Sequence, residues 1–283
     1  MCVVTDVAID SLHFENDKCI RLQDKNKESH ESFDFVIDAS GAHSKFREFA
    51  IKNTASQTLQ YGSLWSKVDL EHDVNFDCHR MQLYCDKYNV GIGMMPIGKL
   101  ALKDKPQMAL FWNMKWQDYP RWRAGNLDEW KDYSVEKWPA TKAFLNKITH
   151  HDQMYLAKFI YHTLPKPYGC NLAFVGDAAH ATNPQLGQGI NMSLVDAVVL
   201  SWSFQQHSDM ASALKLYAQT RRNHVNFYQT MARILTPFYQ SDNYMAIHCR
   251  DWLYEPLSKI AAVKCVTANI ISGQVKQPLK SCI

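Results

Sequence analysis

The chain has 283 residues, of which 46% are hydrophobic and 12% aromatic, so it can bury a sizeable core in about two domains. The net charge of +3 is small and no dense stripe of lysine and arginine occurs, which argues against nucleic acid as a partner. No apolar run approaches the ~18 residues of a membrane helix, and the first residues lack the features of a signal peptide. We therefore expect a cytoplasmic protein with no integral membrane segment.

The N-terminal part of the chain contains two predicted strands. Residues 1–9 form the first, and residues 33–39 form the second, which leads directly into the segment 40–47. Arg47 lies at the end of this segment, and its fork of N–H donors suits phosphate oxygens. A surface salt bridge at a helix start is the alternative role for Arg47.

The middle part of the chain has a different residue pattern from the N-terminal part. Between Tyr61 and Trp116, short runs alternate apolar and polar residues with turn residues between them, which predicts an antiparallel sheet. Residues 127–148 have a helical pattern that Pro139 interrupts, and residues 155–164 are predicted to form another strand.

The densest run of constrained residue types spans residues 176–191. The apolar residues 172–175 predict a strand buried on both faces of a parallel sheet, so Asp177 emerges at the carboxyl edge, where open α/β sheets bind ligands. Gly187 and Gly189 let the backbone approach a ligand closely, and Pro184 stiffens the turn. A tight turn with two glycines for packing is the alternative.

A helix is predicted to begin near Gln188. Ile190, Leu194, Val198 and Trp202 recur every four residues and give this helix one apolar face. The free N–H groups and the positive dipole end at its start would stabilise negative charge on a neighbouring ligand. The pyrimidine edge of a reduced flavin carries such a charge.

The C-terminal part, residues 211–273, has helical periodicity. Pro237 is predicted to end one helix, and Ser241 with Asp242 to cap a second helix that runs to about Leu253 and ends before Pro256. The polar residues 274–283 are expected to form a loose tail.

The eight cysteines are scattered and include no Cys-x-x-Cys pair. In a chain without a secretory signal, they are predicted to be free, buried thiols. The nearest approach to a metal cluster, Cys78 and His79 with Cys85, matches no zinc spacing, so we predict no metal site.

The run 176–191, with the dipeptide that follows it at 196–197, resembles the second FAD-binding motif of the class A flavoprotein monooxygenases, the para-hydroxybenzoate hydroxylase-like group. The matching positions are Gly176, Asp177, Ala178, Ala179, His180, Pro184, Gly187, Gln188, Gly189, Asn191, Asp196 and Ala197. The resemblance implies that Asp177 binds a hydroxyl of the ribityl or ribose part of FAD. It also implies that the helix start faces the isoalloxazine ring of FAD, through Gly187, Gln188, Gly189, Ile190 and Asn191.

Two further residues of this motif have roles in the resembling family. Pro184 is implied to lie beside the flavin ring and the substrate. His180 is implied to be chiefly a structural part of the turn, and a proton carrier is the alternative because histidine titrates near neutrality. We assign no residue to catalysis.

The segment 40–47 is similar to the other mid-chain motif of the same family, an Asp-Gly followed by Ser and then Arg. Gly41, Ser44 and Arg47 match, whereas Ser40 stands where the Asp is usual. The resemblance implies that Gly41 and Arg47 serve the pyrophosphates of FAD and of a nicotinamide cofactor.

The Gly-x-Gly-x-x-Gly unit with which this family begins does not occur in the sequence. We therefore expect an N-terminally truncated product, a fragment or one piece of a split protein, and a mis-assigned start is the alternative.

The resemblance implies an α/β fold, in which an incomplete Rossmann-like FAD-binding domain is interleaved with an antiparallel β-sheet substrate domain and followed by C-terminal helices. The partial FAD-binding domain takes residues 1–54 and 166–210. The substrate-binding sheet takes residues 55–165, and the C-terminal helical segment takes residues 211–283.

Four residues are candidates for lining the substrate pocket, namely Trp65, Met95, Trp112 and Pro184. Large apolar residues on an alternating strand are often plain core residues, which is the alternative for these positions.

The predicted function is that of an FAD-dependent monooxygenase that uses NAD(P)H and O2 to hydroxylate an aromatic or other activated small molecule. An inactive fragment or a subunit that needs a partner is one alternative, and a related flavin oxidoreductase or halogenase is another. The predicted partners are a small-molecule substrate and either a second copy of the chain or an N-terminal partner piece.

Overall fold

A computed structural model of the protein describes residues 2–15, 19–51, 56–70, 76, 77, 79–86, 91–99, 101, 102 and 104–281. The strands are β1 (Ile9–Glu15), β2 (Cys19–Asp24), β3 (Ser29–Phe33), β4 (Val36–Asp38), β5 (Gln57–Asp69), β6 (Gln82–Cys85), β7 (Gly91–Gly98), β8 (Gln107–Lys115), β9 (Tyr155–Tyr161), β10 (Tyr168–Gly169) and β11 (Leu172–Phe174). The α-helices are α1 (Tyr119–Ala124), α2 (Leu127–Lys137), α3 (Lys142–Leu145), α4 (Asp177–His180), α5 (Gly189–Gln206), α6 (Met210–Tyr239), α7 (Tyr244–Lys259) and α8 (Ala261–Ile271).

The chain divides into two compact units. The first contains residues 1–57, 160–234 and 260–283, and the second contains residues 58–159 and 235–259. The assignment of one part of the chain to FAD and another to the substrate stays a prediction.

The first unit contains a small mixed sheet in the order β10-β11-β4. Strands β11 and β4 are parallel, with Leu172 opposite Val36 and Phe174 opposite Asp38, so their carboxyl ends lie side by side. The three residues of β11 are fully buried, which confirms the predicted strand with two covered faces. A separate antiparallel sheet, β1-β2-β3, belongs to the same unit.

Alternate residues of β11 belong to two different core clusters. Leu172 and Phe174 pack with Leu12 and Ile20 from the β1-β2-β3 sheet. Ala173, which points to the opposite face, packs with residues of α5 and α6, namely Val195, Val199, Leu200, Leu214 and Tyr217. The strand before Asp177 is therefore fixed from both faces.

The second unit is built on a five-stranded sheet in the order β6-β7-β8-β5-β9, which confirms the antiparallel sheet predicted from the alternating pattern. One face of this sheet is the core, where Leu64, Ile92 and Trp112 lie in one row of paired residues. Residues of α2 and α3 complete that core, among them Trp130, Phe144 and Leu145.

The first predicted strand is wrong in its position. The backbone of residues 2–8 forms no strand, and β1 begins only at Ile9. Asp6 has a φ of 64°, which is incompatible with extended backbone. The second predicted strand is present, but it is shortened to β4.

The prolines of the C-terminal helices do not end them as predicted. Pro237 lies inside α6, which continues to Tyr239, and Pro256 lies inside α7. A proline removes one backbone hydrogen bond, and packing along the rest of the helix outweighs that loss. The cap of α7 is Asn243, whose Oδ1 accepts from the Ala246 N–H at 3.1 Å.

The tail and the cysteines also differ from expectation. Within the described part of the tail, Pro278–Ser281 forms a 3-10 turn and Leu279 packs against the α5 core, so residues 274–281 are not loose. Cys2, Cys85, Cys249 and Cys265 are free thiols, as predicted, but Cys2, Cys170, Cys249 and Cys265 are exposed rather than buried. Among the described helices, none combines the length and the apolarity that a membrane span requires.

Candidate cofactor site

The two predicted motifs meet at the carboxyl edge of the β4–β11 pair. The Val175 N–H donates to the Asp38 carbonyl at 3.1 Å, which joins the ends of the two strands. The Asp38 carboxylate then shapes the following turn, because it accepts from the Ser40 N–H at 2.8 Å and from the Ser44 hydroxyl. The structure thus brings Gly41 to the same edge as the run 176–191.

Arg47 connects the two motifs directly. Its guanidinium donates to the carbonyls of Ala42 and Gly41 in one motif and to the Ala178 carbonyl, at 3.2 Å, in the other. Burial lowers the pKa of Arg47, although the nearby Asp38 acts in the opposite direction. These contacts give Arg47 a bracing role between the motifs, which neither the phosphate role nor the surface salt bridge anticipated.

The turn after β11 depends on the glycine at its centre. Gly176 has a φ of 59°, in the left-handed region, and a Cβ at this position would lie 2.5 Å from the Ser193 hydroxyl of α5. The side chain of the next residue, Asp177, is exposed to solvent. Surrounding protein atoms still remove part of its hydration and raise the pKa of the Asp177 carboxyl, whereas the charge of His180 opposes that rise.

A buried charge network lies behind this turn. The Asp196 carboxylate accepts from the Gly176 N–H and from His180 Nε2, both at 2.7 Å, and from Arg221 Nε at 2.6 Å. Arg221 also donates to His224 Nδ1 at 2.6 Å. His180 therefore has the structural role that the motif implied, as a buried partner of Asp196.

The network shifts the pKa values of Asp196 and His224. Burial by itself raises the pKa of Asp196, but the charges and hydrogen bonds of His180 and Arg221 outweigh it and hold the pKa below its ordinary value. Burial, and next the positive charge of Arg221, lower the pKa of His224 to about 4. His224 is thus neutral at physiological pH, which is why its Nδ1 can accept from Arg221.

Sequence reasoning missed the pairing of Asp196 with Arg221. Both residues gave a signal, since Asp196 interrupts the apolar run 192–200 and Arg221 lies on the apolar stripe of α6. A charged residue on a buried stripe needs a charged partner. The two residues are 25 positions apart in the sequence, which is the reason that spacing alone did not pair them.

The start of α5 offers both backbone donors and free space. Gly187 has a φ of 62°, which only a glycine adopts easily, and Gln188 is the N-cap of the helix, as predicted. A Cβ at Gly187, Gly189 or Gly41 would meet no heavy atom within 4 Å. A flat ligand therefore has room beside all three glycines.

Two side chains at this helix start are already engaged within the protein. The Gln188 amide nitrogen donates to the Ile271 carbonyl, and its Oε1 accepts from Asn191 Nδ2 at 2.8 Å. A ligand here would therefore meet mainly the backbone N–H groups of residues 189–191. Pro184 is exposed just before the turn.

The apolar stripe predicted on α5 is present but exposed, with Ile190 79%, Leu194 63% and Val198 50% accessible to solvent. The buried face of the helix instead carries Met192, Val195, Asp196, Val199, Leu200 and Ser203. The four-residue spacing therefore identified a helical face correctly, but that face is not the one that packs in the core.

The candidates on the sheet of the second unit lie on two different faces. Trp65 and Met95 share the face opposite to the core, and both are partly exposed. Trp112 points into the core, where its ring contacts Trp130 and Tyr133 with centroid distances of 5.6 and 5.9 Å. Trp112 therefore does not share a surface with the other two residues.

Comparison with known proteins decides the family. The sequence profile of a family described as an FAD binding domain matches residues 12–230. The chain belongs to this family. The resemblance inferred from the two motifs is thereby confirmed, and FAD is the cofactor that the family binds.

Two curated relatives carry more specific names. Over 100 residues the chain is 32% identical to the kynurenine 3-monooxygenase of Salinispora arenicola, and this match covers 34% of the chain and 22% of the relative. Over 54 residues it is 44% identical to the FAD-dependent urate hydroxylase of Klebsiella pneumoniae, covering 19% and 14%. The matched part is thus only about a fifth or less of each relative.

Solved structures show that the fold is that of FAD-dependent monooxygenases, as expected. The structure of Klebsiella pneumoniae HpxO complexed with FAD and uric acid has a TM-score of 0.76 at 18% identity, covering 96% of this chain and 67% of that chain. Pseudomonas aeruginosa PqsL, a probable FAD-dependent monooxygenase, has a TM-score of 0.66 at 16% identity, covering 86% and 65%.

The residues at the carboxyl edge fit an FAD ring system. The Asp177 carboxylate is free to accept from a hydroxyl, the first N–H groups of α5 are available, and the flanking glycines leave open space. The buried hydroxyl of Thr182, in the small cavity beside Asp177 and Gly189, has no hydrogen-bond partner among the described residues. A polar ligand would satisfy that hydroxyl.

Proposed function

We propose that the chain contributes the flavin-ring part of an FAD-dependent monooxygenase that hydroxylates a small aromatic molecule. Asp177, Gly41 and the backbone of residues 187–191 bind FAD, and Pro184 lies next to its ring. The observation that supports this proposal best is the open carboxyl edge, where an exposed carboxylate stands beside a glycine-rich helix start.

The role of each group follows from its chemistry. FAD, when bound, supplies the redox and oxygen chemistry, for which no protein side chain is a substitute. The Asp177 carboxylate anchors a hydroxyl of the cofactor. The start of α5 stabilises negative charge, because its N–H groups are free and its dipole is positive there. Arg47 and the Asp196 network keep these groups in place.

The sheet of the second unit supports an aromatic substrate. Its face opposite to the core carries the partly exposed apolar side chains of Trp65, Leu83 and Met95, together with the half-buried Phe111. An exposed apolar patch of this kind usually marks a binding surface. We propose that Trp65 and Met95 contact the substrate, and the relatives named for kynurenine and urate oxidation act on aromatic or heteroaromatic compounds of that kind.

The proposal includes NAD(P)H as the reductant, O2 as the second substrate and the cytoplasm as the location. The match to the FAD binding domain family and the similarity to an FAD-dependent urate hydroxylase support the use of NAD(P)H and O2. The lack of a membrane-spanning helix among the described residues agrees with the third.

The first experiment measures FAD binding by the purified chain. We expect added FAD to give a bound-flavin absorbance spectrum and quenched flavin fluorescence, and Asp177→Ala to weaken binding about 10-fold to 100-fold. That range corresponds to the ~1.5–3 kcal/mol of a hydrogen bond to a charged group. Asp132→Ala, at an exposed position of α2, is the matched control and should bind FAD like the wild type. If Asp177→Ala binds FAD with the affinity of the wild type, the Asp177 carboxylate does not contribute to FAD binding.

The second experiment tests the reaction. In protein that binds FAD, an aromatic substrate should accelerate NAD(P)H oxidation, and mass spectrometry should detect a product one oxygen heavier than the substrate. Halogenation, or oxidation without oxygen insertion, would assign the chain to a different flavin reaction.

A partner-requiring subunit is the second candidate function, and a specific surface favours it. Strand β4 is at the edge of its sheet in the described structure, Ile37 on this strand is half exposed, and the apolar stripe of α5 is open to solvent. A protein that gains no flavin absorbance alone, but gains it with a second polypeptide, would establish this alternative.

A further inference from the structure

The last described residues of the chain lie against the start of α5. We call residues 270–279 the C-terminal strap. Tyr228 on α6 donates its hydroxyl to the Ile270 carbonyl at 3.0 Å, and the Gln188 amide donates to the Ile271 carbonyl. Farther along, Leu279 packs in the cluster that contains Val195 and Val199 of α5. The strap is therefore held at both ends.

The centre of the strap is a glycine under tight constraint. Gly273 has a φ of 75° and is buried. A Cβ at this position would collide with the side-chain nitrogen of Asn191 and lie 2.9 Å from Gln188 Oε1. These two side chains also bond to each other, at 2.8 Å. The backbone of Gly273 thus packs closely against Gln188 and Asn191, which are hydrogen-bonded to each other at the start of α5.

The part of α8 that precedes the strap, residues 261–269, does not explain this contact. None of the residues of α8 is buried, so α8 adds no core packing of its own. The chain nevertheless turns back after α8, where the Gln274 N–H donates to the Asn269 carbonyl at 2.9 Å. The contact with α5 is therefore made by the strap, which begins with the last two residues of α8 and continues through Gly273.

We propose that the C-terminal strap is a positioning element for the cofactor. It holds Gln188 and Asn191, and with them the free N–H groups of residues 189–191, in the arrangement that binds the flavin ring. The inference rests on the proposed FAD site, because it concerns the shape of that site. It makes Gly273 and Tyr228 positioning residues, since they act through the contacts of the strap with Gln188 and Asn191.

The test uses two glycines with the same backbone strain. Gly273→Ala introduces both the strain of a φ of 75° and a collision, whereas Gly98→Ala introduces the same φ of 75° with no heavy atom within 4 Å. We expect both variants to lose thermal stability. Only Gly273→Ala should weaken FAD binding, by about tenfold in Kd as measured by flavin fluorescence quenching, because only there must the first turn of α5 move.

A milder variant guards against misfolding of Gly273→Ala. Tyr228→Phe removes the hydroxyl that bonds to the backbone of Ile270 and Val275 and keeps the ring, so it should raise the Kd for FAD about threefold to tenfold, the equivalent of a neutral hydrogen bond. Hydrogen exchange of the peptide 186–195, without flavin, provides a readout that needs no cofactor. It should be faster in Gly273→Ala and Tyr228→Phe than in the wild type and Gly98→Ala.

The outcomes are distinguishable. If the wild type binds FAD and both strap variants bind it with the same Kd, the positioning role is overturned while the FAD site stands. If the wild type does not bind FAD, the proposed site fails and the inference fails with it, whatever the exchange data show. A higher Kd with faster exchange in both strap variants, and neither change in Gly98→Ala, supports the inference.

Discussion

At the scale of single residues, Asp196 is the side chain on which the site depends most. It is completely buried, and three donors from two parts of the chain converge on it: Gly176 and His180 of one turn, and Arg221 of α6. One of these donors is the backbone of the turn that carries Asp177. A change at Asp196 therefore affects both the stability of the fold and the geometry of the candidate site.

Replacing Asp196 tests this dependence. Asp196→Ala leaves the buried guanidinium of Arg221 without its carboxylate, and removing one partner of a buried ion pair costs about 3–5 kcal/mol. Urea denaturation measures the loss. The control is Glu255→Ala, which breaks the exposed pair with Lys259 and should change the free energy of unfolding by less than about 1 kcal/mol. Equal effects in the two variants would mean that the Asp196 network does not stabilise the protein.

At the scale of elements, the sheet of the second unit uses its two faces differently. The rows of paired residues put Leu64, Ile92 and Trp112 on the core face, and Trp65, Phe111 and Gly93 on the other. The ring of Phe111 lies over Gly93, where a Cβ would collide with it. The second face thus presents partly exposed apolar side chains, among them Trp65 and Met95, as a ligand-binding wall requires.

The two tryptophans of this sheet provide a matched pair. Trp112 is 9% exposed and Trp65 is 38% exposed, so the same substitution should have different costs on the two faces. We expect Trp112→Ala to lower the free energy of unfolding by about 3–5 kcal/mol, as large core truncations do. Trp65→Ala should cost less than about 1.5 kcal/mol and act mainly on substrate binding. Chemical denaturation of both variants checks the order, and a larger loss for Trp65→Ala would contradict the assignment of faces.

At the scale of the whole molecule, two buried histidines make stability depend on pH. Burial, and next the charge of Arg47, lower the pKa of His162 to about 4, and the pKa of His224 is also lowered to about 4. An unfolded histidine has a pKa of about 6.5. As pH falls below that value, the unfolded chain takes up protons that the folded chain does not, so folding becomes less favourable.

The predicted result is a free energy of unfolding that is constant above about pH 7 and decreases between about pH 6.5 and 4. His224→Asn keeps a hydrogen-bond acceptor for Arg221 without a titrating ring, and should remove about half of the decrease that the two histidines cause. Denaturation curves from pH 4 to 8 measure the change, with His207→Asn at an exposed position as the control. A His224→Asn variant with the pH profile of the wild type would exclude His224 as a source.

The family and its cofactor could be inferred from the chain alone, because the informative residues constrain their own backbone. Gly176, Asp177, Pro184 and Gly187 define a strand, a turn and a helix start within a few positions. Their conformations need no distant partner, so the motif and the fold class agree with the structure. The alternation of apolar and polar residues in the second unit is also a local signal, because side chains of a strand point to opposite faces in turn, whatever the strand packs against.

Tertiary structure decided which surfaces are covered and which charges are paired. The spacing of Ile190 and Leu194 identifies a helical face, but its exposure depends on what packs against α5. The contact of Gln188 with the strap joins residues 83 positions apart, and Arg47 reaches a carbonyl 131 positions away. A residue pattern reports local periodicity, whereas burial and ion pairing depend on which distant segments meet in the folded chain.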